Sequence, residues 1–283
     1  MSKLSSIVTL IRPVNSIMIG FAVIVGVAVV APSKVISQTS AFGFLTGFFV
    51  SGYSMVINDV YDVEIDRVNS PNRPIPSGAV TMKEAAVLAS LFVLAGLASS
   101  LFIGVLNLAI VGFFALLAWG YSYWGKKKGL VGNTMVAASM AVPYVFGGVA
   151  IGSGADPMLW SLALTTFLAG TGREVVKTIS DIEGDKTRGV QSVAITKGAR
   201  AASRVGAMFF LAAVATSLVP VLLRVAGIIY ATLVIITDVF FVYLSAKTIR
   251  NYNAEGAIRV KKLALGGMML GLLAFLLGGA LRF

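Results

Sequence analysis

Long apolar runs recur through all 283 residues, at about 14–31, 41–57, 84–104, 106–124, 133–151, 157–175, 204–223, 226–246 and 262–281. A helix of about 20 apolar residues spans the hydrocarbon core of a bilayer, and it satisfies its own backbone hydrogen bonds there. The pattern predicts an all-α fold, a polytopic membrane bundle of nine transmembrane helices. Only 12% of the residues are charged while 57% are hydrophobic, about half the charge of a soluble domain. No soluble domain is left over, so 1–283 reads as a single transmembrane domain with two long polar loops, about 58–83 and 173–203. Leu4, Ile7, Val8 and Ile11 follow helical spacing and predict an amphipathic start along the interface. A full-length span follows without a small-residue cleavage pattern, which argues against a cleavable signal peptide.

Loop charges set the orientation. With the N-terminus in the cytoplasm, only Lys34, Arg224 and Arg282 of the 23 Lys and Arg residues fall outside. The other 20, Arg188 among them, fall inside. Cytoplasmic loops carry this excess, and one helix more or fewer would scramble it. The reading is a multi-pass cell-membrane protein with its C-terminus outside. The net charge of +11 is explained by this bias, and a nucleic-acid partner is not expected.

The chain has no Cys and no His. This excludes thiolate and imidazole chemistry and the usual zinc sites. A bound metal would meet oxygen donors, which favours Mg²⁺, Mn²⁺ or Ca²⁺.

Against this background, Asn58-Asp-Val-Tyr-Asp62-Val-Glu64-Ile-Asp66-Arg67 stands out. Continued as a helix, it puts Asn58, Asp62 and Asp66 on one face, with Asp59 about 100° away. A second stretch, Arg173-Glu-Val-Val-Lys177 followed by Asp181-Ile-Glu-Gly-Asp185, repeats the i, i+4 spacing 123 residues after the first. Each follows an even-numbered span, so both fall on the cytoplasmic side as a weak internal repeat. Stacked carboxylates repel one another unless a cation sits beside them. Two such faces across a cavity suit a diphosphate held through about two Mg²⁺, with Arg67, Lys126 and Lys177 neutralising the leaving phosphate. Solvated carboxylates at helix ends are the bland alternative, and the shared period of the two stretches weighs against it.

The pattern Asn58-Asp-x-x-Asp62-x-x-x-Asp66, with Asn72-Arg-Pro-Ile-Pro-Ser-Gly78 and Asp181-x-x-x-Asp185, resembles the UbiA superfamily of intramembrane prenyltransferases. The resemblance covers nearly the whole chain. It implies a helical bundle around a central cavity, with a polyprenyl diphosphate bound through Mg²⁺ at the cytoplasmic end. It assigns metal and diphosphate binding to Asn58, Asp62, Asp66, Asp181 and Asp185, the four aspartates being catalytic. Within the family, the pattern looks most like the branch that forms the second ether bond of archaeal membrane lipids. That branch moves a geranylgeranyl group from geranylgeranyl diphosphate to a lipid-like acceptor, geranylgeranylglyceryl phosphate. The chlorophyll branch of the family shares the Arg-Pro-Ile-Pro-Ser-Gly signature, and a member with an aromatic acceptor, of quinone or chlorophyll type, is the alternative. Ser180 departs from the branch, which commonly has an acidic residue there, but it lies out of phase with the 177–181–185 stripe.

Other residues carry two readings each. Lys126 follows Tyr121-Ser-Tyr-Trp where the family has a basic residue, while a lysine run at an inner helix end also serves orientation. Arg12 is placed to hold substrate phosphate or to snorkel to headgroups. Arg73 binds ligand or orders its Pro-rich turn, and Asp59 matches the motif off the main face. Asp238, the one acidic residue well inside a span, is open between function and pairing with a neighbouring helix. A transporter is the rival class, yet transporter sites lie near the midplane and these acids cluster at one interface.

Overall fold

The computed structural model describes residues 3–187 and 189–281, and among them every regular element is helical. Arg188 and Arg282, counted above among the loop charges, lie outside the described residues. The first half contains α1 (Lys3–Ile11), α2 (Pro13–Val30), α3 (Gln38–Tyr61), α4 (Val63–Asn69), α5 (Met82–Leu101), α6 (Val105–Tyr123) and α7 (Leu130–Ala150). The second half contains α8 (Pro157–Ser180), α9 (Ile182–Thr187), α10 (Val193–Thr196), α11 (Ala199–Ser217), α12 (Val219–Leu222), α13 (Ile228–Arg250) and α14 (Ala254–Ala280).

Each of the nine apolar runs falls on a long helix, and eight are long and apolar enough to cross a membrane by length and composition. The ninth, α8, has 24 residues but carries Arg173, Glu174 and Lys177 in its last turns. Its position explains the polarity. It packs against α2, α7, α11 and α14, and Glu174 with most of its last two turns is buried among them. Around it, α3 packs on α2, α5 and α6, and α13 packs on α11 and α14.

Small residues set the closest crossings. A Cβ on Gly26 of α2 would lie 2.1 Å from the Tyr144 carbonyl oxygen of α7, and one on Gly279 of α14 would lie 2.3 Å from the Val29 carbonyl oxygen. Thus α2 is held backbone to backbone between α7 and α14. Gly267 faces Phe240 and Phe241, and Gly278 faces Tyr230, as expected for close helix packing. The amphipathic start divides its stripe: Leu10, Ile7 and Ile11 pack with Tyr53 and Val56, while Leu4 and Val8 stay exposed. An outward apolar edge on a helix docked to α3 fits a position along the interface.

The intramembrane carboxylate has a partner. Asp238 accepts hydrogen bonds from the Ser217 hydroxyl at 2.9 Å to each oxygen, and the Tyr230 hydroxyl donates to the Ser217 carbonyl at 2.6 Å. The group lies beside a cavity of about 40 Å³ between α8, α11, α13 and α14, away from the acidic motifs. Asp238→Asn is therefore expected to leave catalytic turnover within about twofold, and to change Tm by no more than about 3 °C. Steady-state kinetics with a thermal scan checks this, and a hundredfold loss of turnover would make the residue part of the chemistry.

Candidate active site

The first motif sits at a break between two helices. α3 ends at Tyr61 and α4 begins at Val63, with Asp62 between them at φ −91° and ψ −1°. Two backbone bonds keep the helical phase across the break, Asp62 N to Asn58 O at 3.0 Å and Asp66 N to Asp62 O at 2.8 Å. Asn58, Asp62 and Asp66 consequently share one face, and all three line a cavity of about 470 Å³. The Asn58 amide donates to Asp62 at 3.0 Å, which orients that carboxylate. The second motif repeats the construction: α8 ends at Ser180, Asp181 caps it, and Asp185 N bonds Asp181 O at 2.8 Å.

Asp181 and Asp185 line a smaller chamber of about 120 Å³. The two chambers share Tyr121, Lys126, Val136, Glu174 and Lys177 as a common wall. The structure therefore brings Asn58, Asp62, Asp66, Lys126, Lys177, Asp181 and Asp185 to one composite polar site. A third chamber of about 140 Å³ is lined by apolar groups, among them Ile19, Val23, Val50, Phe114, Pro143 and Phe146. It shares Ser54, Met55, Ala118 and Ser139 with the large chamber. Polar and apolar compartments thus adjoin, as an amphiphile with a charged head and a hydrocarbon tail requires.

The acids are matched by cations. Lys126 pairs with Asp62, and Arg73 pairs with Asp66 at 2.6 Å. Arg173 pairs with Glu174, and Lys177 reaches the same carboxylate at 3.3 Å. Asp59 is buried and off the shared face, and it takes Arg12 at 2.7 Å and Arg73 at 3.6 Å. Arg12 and Arg73 themselves line the large chamber. Arg67 is not brought there; it pairs with Glu64 at 2.9 Å, and both side chains are exposed. The helical turn between Asp66 and Arg67 carries the cation round to the outer face.

Local backbone explains why Lys126 turns inward while Lys127 and Lys128 are exposed. The segment after the second motif is tied to the lysine turn by Gln191 N to Lys127 O at 3.0 Å. Gly129, at φ +54°, allows that approach, since a Cβ there would fall 2.0 Å from the Gln191 carbonyl oxygen. Tyr121, Asn133 and Ser192 also line the small chamber, and the Asn133 amide nitrogen is buried without a hydrogen-bond partner. Sequence reasoning missed these three because the lysine turn and the 190–192 segment meet only through tertiary contact.

The donor set fits a hard divalent cation, since the motif side chains offer carboxylate and amide oxygens. Among the described residues no three acidic side chains converge as a ready-made metal cage. Mg²⁺ binds in the same sparse way, through one or two carboxylates completed by substrate phosphate oxygens.

Residues 19–273 match the model of the UbiA prenyltransferase family. The chain belongs to this family. A digeranylgeranylglyceryl phosphate synthase from Methanocaldococcus jannaschii is 36% identical over 278 residues, covering 98% of this chain and 97% of that one. A solved digeranylgeranylglyceryl phosphate synthase superposes with a TM-score of 0.90 at 35% identity, covering 99% of each chain. A UbiA homolog from Archaeoglobus fulgidus, solved bound to DMAPP and Mg²⁺, shares the fold with a TM-score of 0.70 at 17% identity, covering 95% of this chain and 99% of that one. UbiA membership makes the chain a prenyltransferase, and its two helix-break motifs face the polar end of a UbiA cavity.

Proposed function

We propose that this UbiA-family chain moves a geranylgeranyl group from geranylgeranyl diphosphate to the hydroxyl of geranylgeranylglyceryl phosphate, in archaeal ether-lipid synthesis. The observation that carries the reading is the apolar chamber adjoining two polar ones, each lined by one acidic motif, that share a wall holding two lysines. The motif residues and the near full-length likeness to digeranylgeranylglyceryl phosphate synthases support the choice of substrates. The chain crosses the cell membrane nine times as one domain, α8 being the polar central span. The positive-inside bias supports an N-terminus and both motifs toward the cytoplasm and a C-terminus outside.

The prenyl tail lies in the apolar chamber and the diphosphate in the polar site. Asn58, Asp62, Asp66, Asp181 and Asp185 would hold Mg²⁺, which when bound offsets the diphosphate charge and favours its departure. Lys126 and Lys177 meet the same oxygens, and an arriving diphosphate competes with Asp62 for Lys126. The allylic C–O bond breaks and the diphosphate leaves with the electron pair. The acceptor oxygen bonds the allylic carbon and gives its proton to a carboxylate or to the released diphosphate. Val23, Val50, Phe114 and Phe146 around the tail exclude the water that would otherwise capture the cation.

The test incubates purified protein with labelled geranylgeranyl diphosphate, Mg²⁺ and either geranylgeranylglyceryl phosphate or an aromatic acid. The expected product is the diether, with a loss of at least about a hundredfold on chelation and recovery on adding Mg²⁺. Prenylation of the aromatic acid alone would move the chain to another UbiA branch.

A further inference from the structure

Two arginines in the large chamber have no part in the reaction as described so far. Arg12 stands between α1 and α2 at φ 45°, a left-handed backbone that is rare for a residue with a side chain, and Pro13 follows it. Strain of this kind persists where surrounding structure holds it. The turn aims the guanidinium at Asp59, one helix over, at 2.7 Å. Arg73 comes from a different segment, out of a turn fixed by Ser77 N to Arg73 O at 3.0 Å and Val80 N to Pro74 O at 3.0 Å. It meets Asp66 at 2.6 Å and Asp59 at 3.6 Å.

Burial is unequal within the cluster. The Asp59 and Asp66 side chains are each 7% exposed, whereas those of Arg12 and Arg73 are 34% and 38% exposed. Both guanidinium groups line the large chamber. A guanidinium has five N–H donors in a planar fork, and the carboxylates engage Arg12 through Nη2 and Arg73 through Nη1. Each arginine therefore keeps further donors for a ligand in the chamber it lines. Neither arginine lines the small chamber, whereas Lys126 and Lys177 stand at the wall common to both chambers.

We propose that Arg12 and Arg73, pinned by Asp59, form a seat for the phosphate monoester of the acceptor, separate from the lysines that meet the diphosphate. This rests on the reading of the chain as a transferase with a phosphorylated lipid acceptor. It makes Asp59 a positioning residue that aligns two forks. It also separates the two phosphate-bearing substrates by cation type, since a fork suits a terminal phosphate in a set orientation better than a point charge does.

The experiment uses the full-length protein in lipid nanodiscs with geranylgeranylglyceryl phosphate and its dephosphorylated counterpart as alternative acceptors. In Arg12→Gln, the KM for the phosphorylated acceptor is expected to rise roughly 10- to 100-fold, while the KM for the diphosphate moves less than about threefold; Arg73→Gln, which also frees Asp66, should raise the acceptor KM on the same scale. The wild-type preference for the phosphorylated acceptor, read as a ratio of kcat/KM values, should collapse in parallel. Arg12→Lys keeps the ion pair with Asp59 and loses the fork, so it should fold normally and still lose preference by severalfold. A rise in diphosphate KM with the preference intact would assign the seat to the donor and overturn the proposal, as would no change in either quantity. Failure of the wild type to prenylate either lipid acceptor would instead sink the proposed function, and this seat with it.

Discussion

Asp62→Ala is expected to lower kcat/KM for the diphosphate by about a thousandfold or more, the scale on which a preorganised electrostatic group acts at a developing charge. Asp62 is where the site's separate parts meet. It lines the large chamber, accepts from the Asn58 amide at 3.0 Å and pairs with Lys126. Removing it takes away a proposed Mg²⁺ ligand and releases both the amide and the lysine from their set positions. Asp62→Asn separates these roles, because it keeps the shape and loses the charge. If charge is what matters, Asn is nearly as inactive as Ala. Binding of Mn²⁺ in the presence of pyrophosphate, followed by electron paramagnetic resonance, should weaken in both variants. Either variant retaining more than about a tenth of wild-type activity would remove Asp62 from the centre of the site.

Helical phase made this residue legible before any coordinates. The i, i+4 spacing of Asn58, Asp62 and Asp66 survives a break at Asp62 because two backbone bonds bridge it. At the second motif the bond from Asp185 N to Asp181 O keeps the i, i+4 phase past the end of α8, and both motifs line the site. The apolar runs were legible for a similar reason: each is a local pattern imposed by the bilayer. What the pattern could not convey is the identity of each acid's partner. Arg67 is adjacent to Asp66 in the chain yet turns outward to Glu64, while Arg12, 47 residues from Asp59, reaches it through a strained turn. Asn133 and Ser192 come together only because Gly129 lets the 190–192 segment close on the lysine turn. A marker for Arg12 was present in Arg12-Pro13, an interruption ahead of the first apolar run. Its target was not. The polarity of α8 carried information too, since a span rich in Thr, Arg, Glu and Lys is tolerated only where other helices surround it.

A methyl group added at Gly26 should do more damage than most polar changes outside the site. The new Cβ would lie 2.1 Å from the Tyr144 carbonyl oxygen, with two further Tyr144 backbone atoms within 2.8 Å. Backbone on both sides leaves no side chain to swing aside, so α2 and α7 must separate by about 1 Å. Gly147 lies against the Val23 carbonyl at 2.2 Å by the same measure, so the whole crossing shifts. Gly26→Ala is expected to destabilise by about 3 kcal/mol or more and to lower Tm by about 10 °C. The natural controls are Gly112→Ala and Gly266→Ala, which meet nothing within 4 Å. There the same methyl reduces backbone freedom in the unfolded chain and should be neutral or stabilising by about 0.5 kcal/mol. Thermal scans in one detergent compare all three, and a Gly26→Ala protein as stable as the controls would contradict the crossing. Activity should fall with stability for a geometric reason. Ile19 and Val23 on α2 face Pro143 and Phe146 on α7 across the apolar chamber. Helices forced apart there widen the compartment that keeps water from the prenyl chain, so the surviving Gly26→Ala protein should release more free prenyl alcohol per turnover than the controls.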